Sequence, residues 1–354
     1  MTPGRVGRAR RAGRRRGVGL AWLGVAALAG TGCGVGVHSG QHPPDWPDWA
    51  YGLLAPLAPG ARVAPPCPPT ARPIECAYPG EPVADDGIRR SLPDTELMFT
   101  RNEAHYGYGP ADWYPNDHPE MPAIVAYGNE AEGVRACALC HYPNGQGKME
   151  NGHVAGLPAE YILQQLEAFA SGARRSADRR KANTNEMAMI AARLTAAQKR
   201  QAAEYYASIA YRPMVRVVEA EAAPQVRVTV NGLMLPVPDA PPVPLGQRIV
   251  EVPEDPQRTE MMRDPRGGFV AYVPPGSLAK GEALVQTGGE GKTIQCGICH
   301  GRDQMGLGGV PGIGGRTAGY TMRQLWDMRQ GTRHSPLMAP VVANLTAEDM
   351  LNIS

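Results

Sequence analysis

Phenylalanine is scarce in this chain, with three in 354 residues, and aromatic residues together make up only 6%. Glycine (43) and proline (35) are plentiful instead, so the chain has much loop and small protein cores. Acidic residues are missing from the first 16 positions, which hold seven arginines. Without those arginines the formal charge falls from +2 to −5, and a mildly acidic body excludes a nucleic-acid partner. The apolar run Val18 to Gly30 is too short and too rich in glycine for a membrane span. No glycine-rich nucleotide loop stands between a strand and a helix, and no substrate-pocket signature is present. Cysteine is sparse too: of seven, only Cys33, Cys67 and Cys76 lie outside two short motifs.

Those motifs are Cys137-Ala-Leu-Cys140-His141 and Cys296-Gly-Ile-Cys299-His300. C-x-x-C alone is ambiguous between zinc, a redox dithiol and haem. With the appended histidine it is the attachment signature of c-type haem. Two thiols on one helical turn reach the two vinyl groups of one porphyrin, and the next residue is carried under the iron as its proximal ligand. Two motifs therefore call for two covalently bound haem c groups.

An offset of 159 carries the first motif onto the second. It also carries Gly147 to Gly306, Gly156 to Gly315, Tyr161 to Tyr320, Gln165 to Gln324, Leu166 to Leu325 and Arg174 to Arg333. After an eight-residue excess within Arg175 to Glu186 the offset becomes 151, mapping Met187 to Met338 and Thr195 to Thr346. Such coincidence, without a gap from the motif through Arg174, means an internal repeat.

Five regions follow in chain order. Residues 1–32 read as an export signal, an arginine-rich start followed by an apolar run and small residues. Cys33 comes next, where a lipoprotein carries its lipidated cysteine, but Gly30 stands where the lipid box has leucine. Plain cleavage is preferred, and membrane anchoring through a lipidated Cys33 is the other reading. Residues 33–118 form an irregular Pro/Trp-rich extension expected to wrap on the first domain. Within it Cys67 and Cys76 either close a disulfide or remain thiols, and His105, His118, Tyr106, Tyr108 and Tyr114 are expected to pack. Residues 119–211 are the first repeat and 274–354 the second, both helical. Helices are expected at Ala123 to Gly128, Tyr161 to Phe169, Leu278 to Leu284 and Tyr320 to Met328. Thr195 with Gln198 makes a capping box, and Thr346 opens the matching helix, which has only about two turns before Ser354 and makes the second domain look truncated. Residues 212–273 are a small β-containing insertion, with a hairpin around Asn231-Gly232 after the alternating Val226, Val228 and Val230, and a strand at Gln247 to Val252.

An iron with histidine on one side either stays open for peroxide or oxygen chemistry or is closed by a sixth ligand for electron transfer. The repeat singles out Met187 and Met338, each seven residues before a Leu-Thr helix start. Core filling is the alternative for both, and Met189 is the rival of Met187, although its repeat equivalent is Pro340. Met305, Met322 and Met328 read as packing.

Over residues 122–211 and 274–354 the chain resembles the class I cytochromes c in their two-haem, tandem-domain form. The second repeat carries Cys296-Gly-Ile-Cys299-His300-Gly301, Pro311-Gly-Ile-Gly-Gly315, Tyr320-x-x-x-Gln324-Leu325, Gly331-x-Arg333 and Leu337-Met338-Ala-Pro340. The resemblance implies a mainly α fold, two tandem class I cytochrome c domains joined by the insertion, with each haem in an apolar cleft. It implies that the Pro311 carbonyl orients His300. The first repeat departs from it: Tyr142 replaces the glycine after the motif, and Gly152 stands where the second has Pro311. The two haems are therefore expected to differ in potential. His153 is either a rival ligand or, as preferred, a solvated loop residue. Arg174 and Arg333 either pair with haem carboxylates or lie exposed. The basic run Arg174, Arg175, Arg179, Arg180, Lys181 reads as a solvated loop in preference to a steering surface for an acidic partner.

The expected protein is an exported, periplasmic di-haem c-type cytochrome carrying single electrons between redox partners. It acts as a carrier or as the cytochrome subunit of a dehydrogenase or oxidase complex. The site residues are Cys137, Cys140, His141 and Met187, then Cys296, Cys299, His300 and Met338, with no catalytic group assigned. The alternative is a haem enzyme, a di-haem peroxidase or sulfur-compound oxidoreductase with one reactive iron. A zinc or dithiol protein is the third reading.

Overall fold

The computed structural model describes residues 45–52, 85–229 and 231–354. The export signal, Cys33, the Cys67/Cys76 pair and Val230 lie outside the described residues.

Around the first motif the helices are Ala123–Ala126, Cys137–His141, Ala159–Ser171, Ala182–Arg193 and Ala196–Ala207. Thr195 and Gln198 exchange bonds as the capping box requires, satisfying orphan amides of the last helix. Ile162 and Leu166 on Ala159–Ser171 are buried with Ile124, Val134, Ile190, Leu194, Tyr205 and Tyr206 in one core, against which Tyr161 and Phe169 pack. Around the second motif the helices are Ser277–Thr287, Gly297–His300, Ala318–Arg329, Ala339–Val342 and Ala347–Ile353. Ser277–Thr287 runs longer at both ends than expected. The closing helix begins with a second capping box, Thr346 with Asp349. It packs so closely on Ser277–Thr287 that a Cβ at Gly281 would stand 2.0 Å from the Asn352 carbonyl oxygen.

The insertion is built on a three-stranded sheet. Phe269–Val273 is central, parallel to Val215–Glu219 and antiparallel to Val250–Pro253. The expected hairpin forms between Val226–Val228 and Met234–Pro236. Val215–Glu219 and Phe269–Val273 escaped the sequence reading because their pairing is parallel and long-range, without a turn signature. Glu251, in the strand Val250–Pro253, accepts the Ala318 and Gly319 amides at 3.1 Å each. These are orphan donors at the start of the helix Ala318–Arg329, so the insertion caps the second repeat.

The extension wraps on the first repeat only in part: Ala136 N donates to the Gly107 carbonyl at 2.9 Å, and the His118 and Tyr205 rings meet at 6.2 Å. Its described part Trp46 to Tyr51 packs on the second. Tyr51 Oη donates to Asp327 Oδ1 at 2.7 Å, the Ala50 carbonyl accepts from Arg323, and Trp46 meets Trp326 edge-on at 5.5 Å. Residues 85–118 also reach the insertion, where Trp113 Nε1 donates to the Met262 carbonyl at 2.7 Å. His105 bonds the Glu260 carbonyl and Tyr114 the Pro93 carbonyl, the packing roles expected of them.

The basic run is solvated only at Arg175 and Arg179, which are exposed. Arg174 and Lys181 are buried, and Arg180 is paired with Asp178 at 2.6 Å and Asp48 at 3.0 Å. Met322 is buried and Met328 packs beside it, but Met305 is exposed. No helix among the described residues is long and apolar enough to cross a membrane.

Candidate functional site: two cysteine-histidine helices

The first motif forms a single short helix, Cys137–His141, which places Cys137, Cys140 and His141 on one turn. All three line a cleft of about 1360 Å³, counting its open mouth. His141 Nδ1 lies 2.8 Å from the Gly152 carbonyl oxygen. A carbonyl can only accept, so Nδ1 carries the proton and Nε2 keeps its lone pair. Burial lowers the pKa of His141 against the upward pull of that bond, which keeps the ring neutral. Glycine thus supplies the carbonyl that Pro311 supplies in the second repeat.

Met187 lines the same cleft from the helix Ala182–Arg193, and Met189 is not among the lining residues. The apolar walls include Val154, Leu157, Ile162, Leu166, Phe169 and Ile190. Asn183, Gln165 and Arg174 are polar lining residues, and the second repeat adds Tyr320, Arg323, Gln324 and Asp327 from Ala318–Arg329. Two thiols, a neutral imidazole, a thioether, apolar walls and buried guanidinium groups suit an apolar macrocycle with anionic substituents, so these residues fit haem.

Tyr142, directly after the motif, has φ 60° and ψ 159°, and Gly301 in the second repeat has φ 82° and ψ 155°. That region is essentially restricted to glycine, and a side chain there is strained by about 1–3 kcal/mol. The ring is nonetheless buried, with the Arg263 guanidinium 5.1 Å over its face. His153 is buried, which corrects the solvated reading. Burial first and the Arg316 charge second push its pKa down to about 3, against the Gly147 backbone.

In the second repeat, His300 is buried and its Nδ1 lies 2.7 Å from the Pro311 carbonyl oxygen. A small hairpin, Gly306–Leu307 with Val310–Pro311, carries that carbonyl. Cys296 is half-buried and Cys299 exposed. Met338 is half-buried at the start of Ala339–Val342, packed against the core that holds Leu284, Met322 and Trp326.

Arg174 and Arg333 are not exposed. Arg174 donates to Gln165 Oε1 of its own repeat, and to Tyr320 Oη and Gln324 Oε1 of the other. Arg333 does the reverse, donating to Gln324, Tyr161 and Gln165. The repeat alignment had paired all six residues, but only the geometry shows that the pairs clasp each other. The contribution of Ala318–Arg329 to the first cleft was likewise missed, because a wall supplied from 150 residues away leaves no local signal.

Residues 125–210 match the family model for cytochrome c. The thiosulfate dehydrogenase electron acceptor of Stutzerimonas stutzeri is 40% identical over 75 residues, which are 20% of this chain and 35% of that protein. Cytochrome c4 of Pseudomonas aeruginosa is 36% identical over 93 residues, 24% of this chain and 46% of that protein. The matches therefore span between a third and a half of these relatives' own lengths. The solved cytochrome c4 of Acidithiobacillus ferrooxidans, 19% identical, superposes over 64% of this chain and 96% of its own with a TM-score of 0.39. Residues 125–210 are thus similar to the cytochromes c, a family whose cofactor is covalently bound haem c.

Proposed function

We propose that the chain is an exported di-haem cytochrome that passes single electrons between redox proteins in the periplasm. The observation that carries this reading is the meeting of Cys137, Cys140, His141 and Met187 in one apolar cleft, with His141 fixed by the Gly152 carbonyl. The repeat extends the same roles to Cys296, Cys299, His300 and Met338. When bound, haem supplies a one-electron iron couple.

The residues do the rest. The thiols fix the group in place. His141 and His300 present Nε2 as ligands in orientations set by Gly152 and Pro311. Met187 and Met338 would supply a soft thioether ligand, which would favour the reduced iron and leave no position for a substrate. The apolar walls exclude water, so little reorganises when the charge changes. The relatives named as electron acceptors of a thiosulfate dehydrogenase support a role receiving electrons from a dehydrogenase. Lipidation of Cys33 would tether the carrier to a membrane, whereas plain cleavage of the export signal would leave it free.

A redox titration of the matured protein, run with and without cyanide, tests this. Two one-electron couples that cyanide leaves unmoved are expected. Prompt cyanide binding to the resting protein would favour the haem enzyme instead.

A further inference from the structure

The carbonyls that face the two proximal histidines belong to Gly152 and Pro311. The next carbonyl along the chain is that of His153 in the first repeat and that of Gly312 in the second. One side chain takes both. Arg316 Nη1 donates to the His153 carbonyl at 2.8 Å, and Arg316 Nε donates to the Gly312 carbonyl at 2.6 Å. A single guanidinium therefore stands between the two loops that orient the histidines, one loop from each repeat. The bonds form an unbroken path. It runs from His141 to Gly152, through one peptide to His153, across Arg316 to Gly312, and back one residue to Pro311 and His300.

Arg316 is fixed in this position. It is buried, and its guanidinium lies 4.6 Å over the Tyr211 ring at the end of the first repeat. The helix that follows, Ala318–Arg329, is held at its start by Glu251. A planar fork presents its donors at fixed angles, so two carbonyls bonded to it are fixed relative to each other. Four residues on, Tyr320 touches the same first-repeat loop. A Cβ at Gly152 would stand 2.9 Å from Tyr320 Cε2 and 3.1 Å from Cζ, so a proline there would press on the ring. That contact accounts for glycine where the second repeat has Pro311. The offset of 159 matches Arg316 with the apolar Leu157, so the link is made once, from the second repeat alone.

We propose that Arg316 is a positioning residue for both proximal histidines, and that through it the state of one haem site bears on the other. This rests on the two-haem reading above. A carbonyl accepting from Nδ1 makes the imidazole a more basic ligand, which favours the oxidised iron. Loosening either carbonyl weakens that effect at its own histidine. Because one planar group holds both loops, a shift of one is passed to the other through contiguous bonds.

Arg316→Lys keeps the positive charge and removes the fork, so it separates charge from positioning. The full-length matured variant and the wild type are compared by redox titration of both couples. The haem-methyl proton shifts of the oxidised proteins, which follow the orientation of the axial ligands, are the second readout. Both couples should rise, each by about threefold in its equilibrium constant, and the methyl shifts of both haems should move. A role in stability alone would lower the melting temperature and leave both readouts in place. Movement at one haem only, a fall of both couples, or wild-type values throughout would each overturn the proposal. Arg316→Gln also removes the charge, so it is read by the methyl shifts alone, which should again move at both haems. In the wild type the Arg316 Nε–H should exchange slowly with solvent, and its nitrogen shift should follow the reduction of each haem. A fast-exchanging Nε–H would overturn the bridge even if neither variant matures. Haem content separates this from the parent reading: a wild type with fewer than two haems sinks the two-haem assignment, whereas two haems with unmoved variants sink the Arg316 link alone.

Discussion

Arg174 and Arg333 lie side by side in an antiparallel bridge between the repeats, and each guanidinium is held by glutamine and tyrosine oxygens of the other's helix. None of the hydrogen-bond partners is a carboxylate. Two cations so buried are tolerated because each donates several bonds, and the haem carboxylates are the anions suited to balance them. Arg333→Ala removes the donor to Tyr161, Gln165 and Gln324 together and should destabilise by about 3 kcal/mol, with Arg174→Ala similar. Because the two share both glutamines, the double variant should lose less than the sum of the single losses. A double-mutant cycle in denaturant measures this, and strict additivity would show that the clasp does not act as a unit.

Glu251 makes stability depend on pH. Burial raises its pKa from the ordinary 4.5 to about 7, against the Ala318 and Gly319 amides. Between these values the folded chain holds a proton that the unfolded chain has released. The stabilisation is therefore full below pH 4.5 and is lost as pH rises through 7. Asp327, raised mainly by burial to about 6, adds a change of the same sign. Buried His153, with its pKa pushed down to about 3, works in the opposite sense, so the test is a difference: Glu251→Gln should lose the downward contribution, and its melting temperature relative to wild type should rise between pH 4.5 and 7. An unchanged slope would mean that Glu251 ionises as freely folded as unfolded.

Gly281 should tolerate no side chain. A Cβ there meets the Asn352 carbonyl, which belongs to backbone and cannot swing aside. Gly281→Val should cost about 2–3 kcal/mol by forcing apart Ser277–Thr287 and Ala347–Ile353. Thermal melting reads the loss.

Met187 and Met189 should separate cleanly. Replacing Met187 by alanine should open one iron to carbon monoxide and lower the potential of one couple. Replacing Met189 should leave both couples in place. The reverse pattern would move the assignment two residues along the helix.

What was legible in the sequence was what local chemistry fixes. The motif spacing gives two one-turn helices, Thr195 with Gln198 announces a cap, and Val226 to Gly232 announces a hairpin. The carbonyl facing His300 came from resemblance, and the first repeat keeps that contact with Gly152, because a backbone oxygen does not depend on the side chain. What could not be read depends on distant partners. Lys181 looks like loop charge until its burial is seen, and nothing near Trp46 or Tyr51 says that they dock on Trp326 and Asp327. Tyr142 in a glycine conformation is visible as a departure from the repeat, but its burial under Arg263 requires the insertion to be in place.

The most direct test is the intact mass of the chain after export by a host competent for c-type haem attachment, measured under denaturing conditions. Two covalently attached macrocycles are expected, falling to one when either cysteine pair, Cys137/Cys140 or Cys296/Cys299, is replaced by alanine. A wild-type chain carrying one macrocycle or none would contradict the assignment of both motifs.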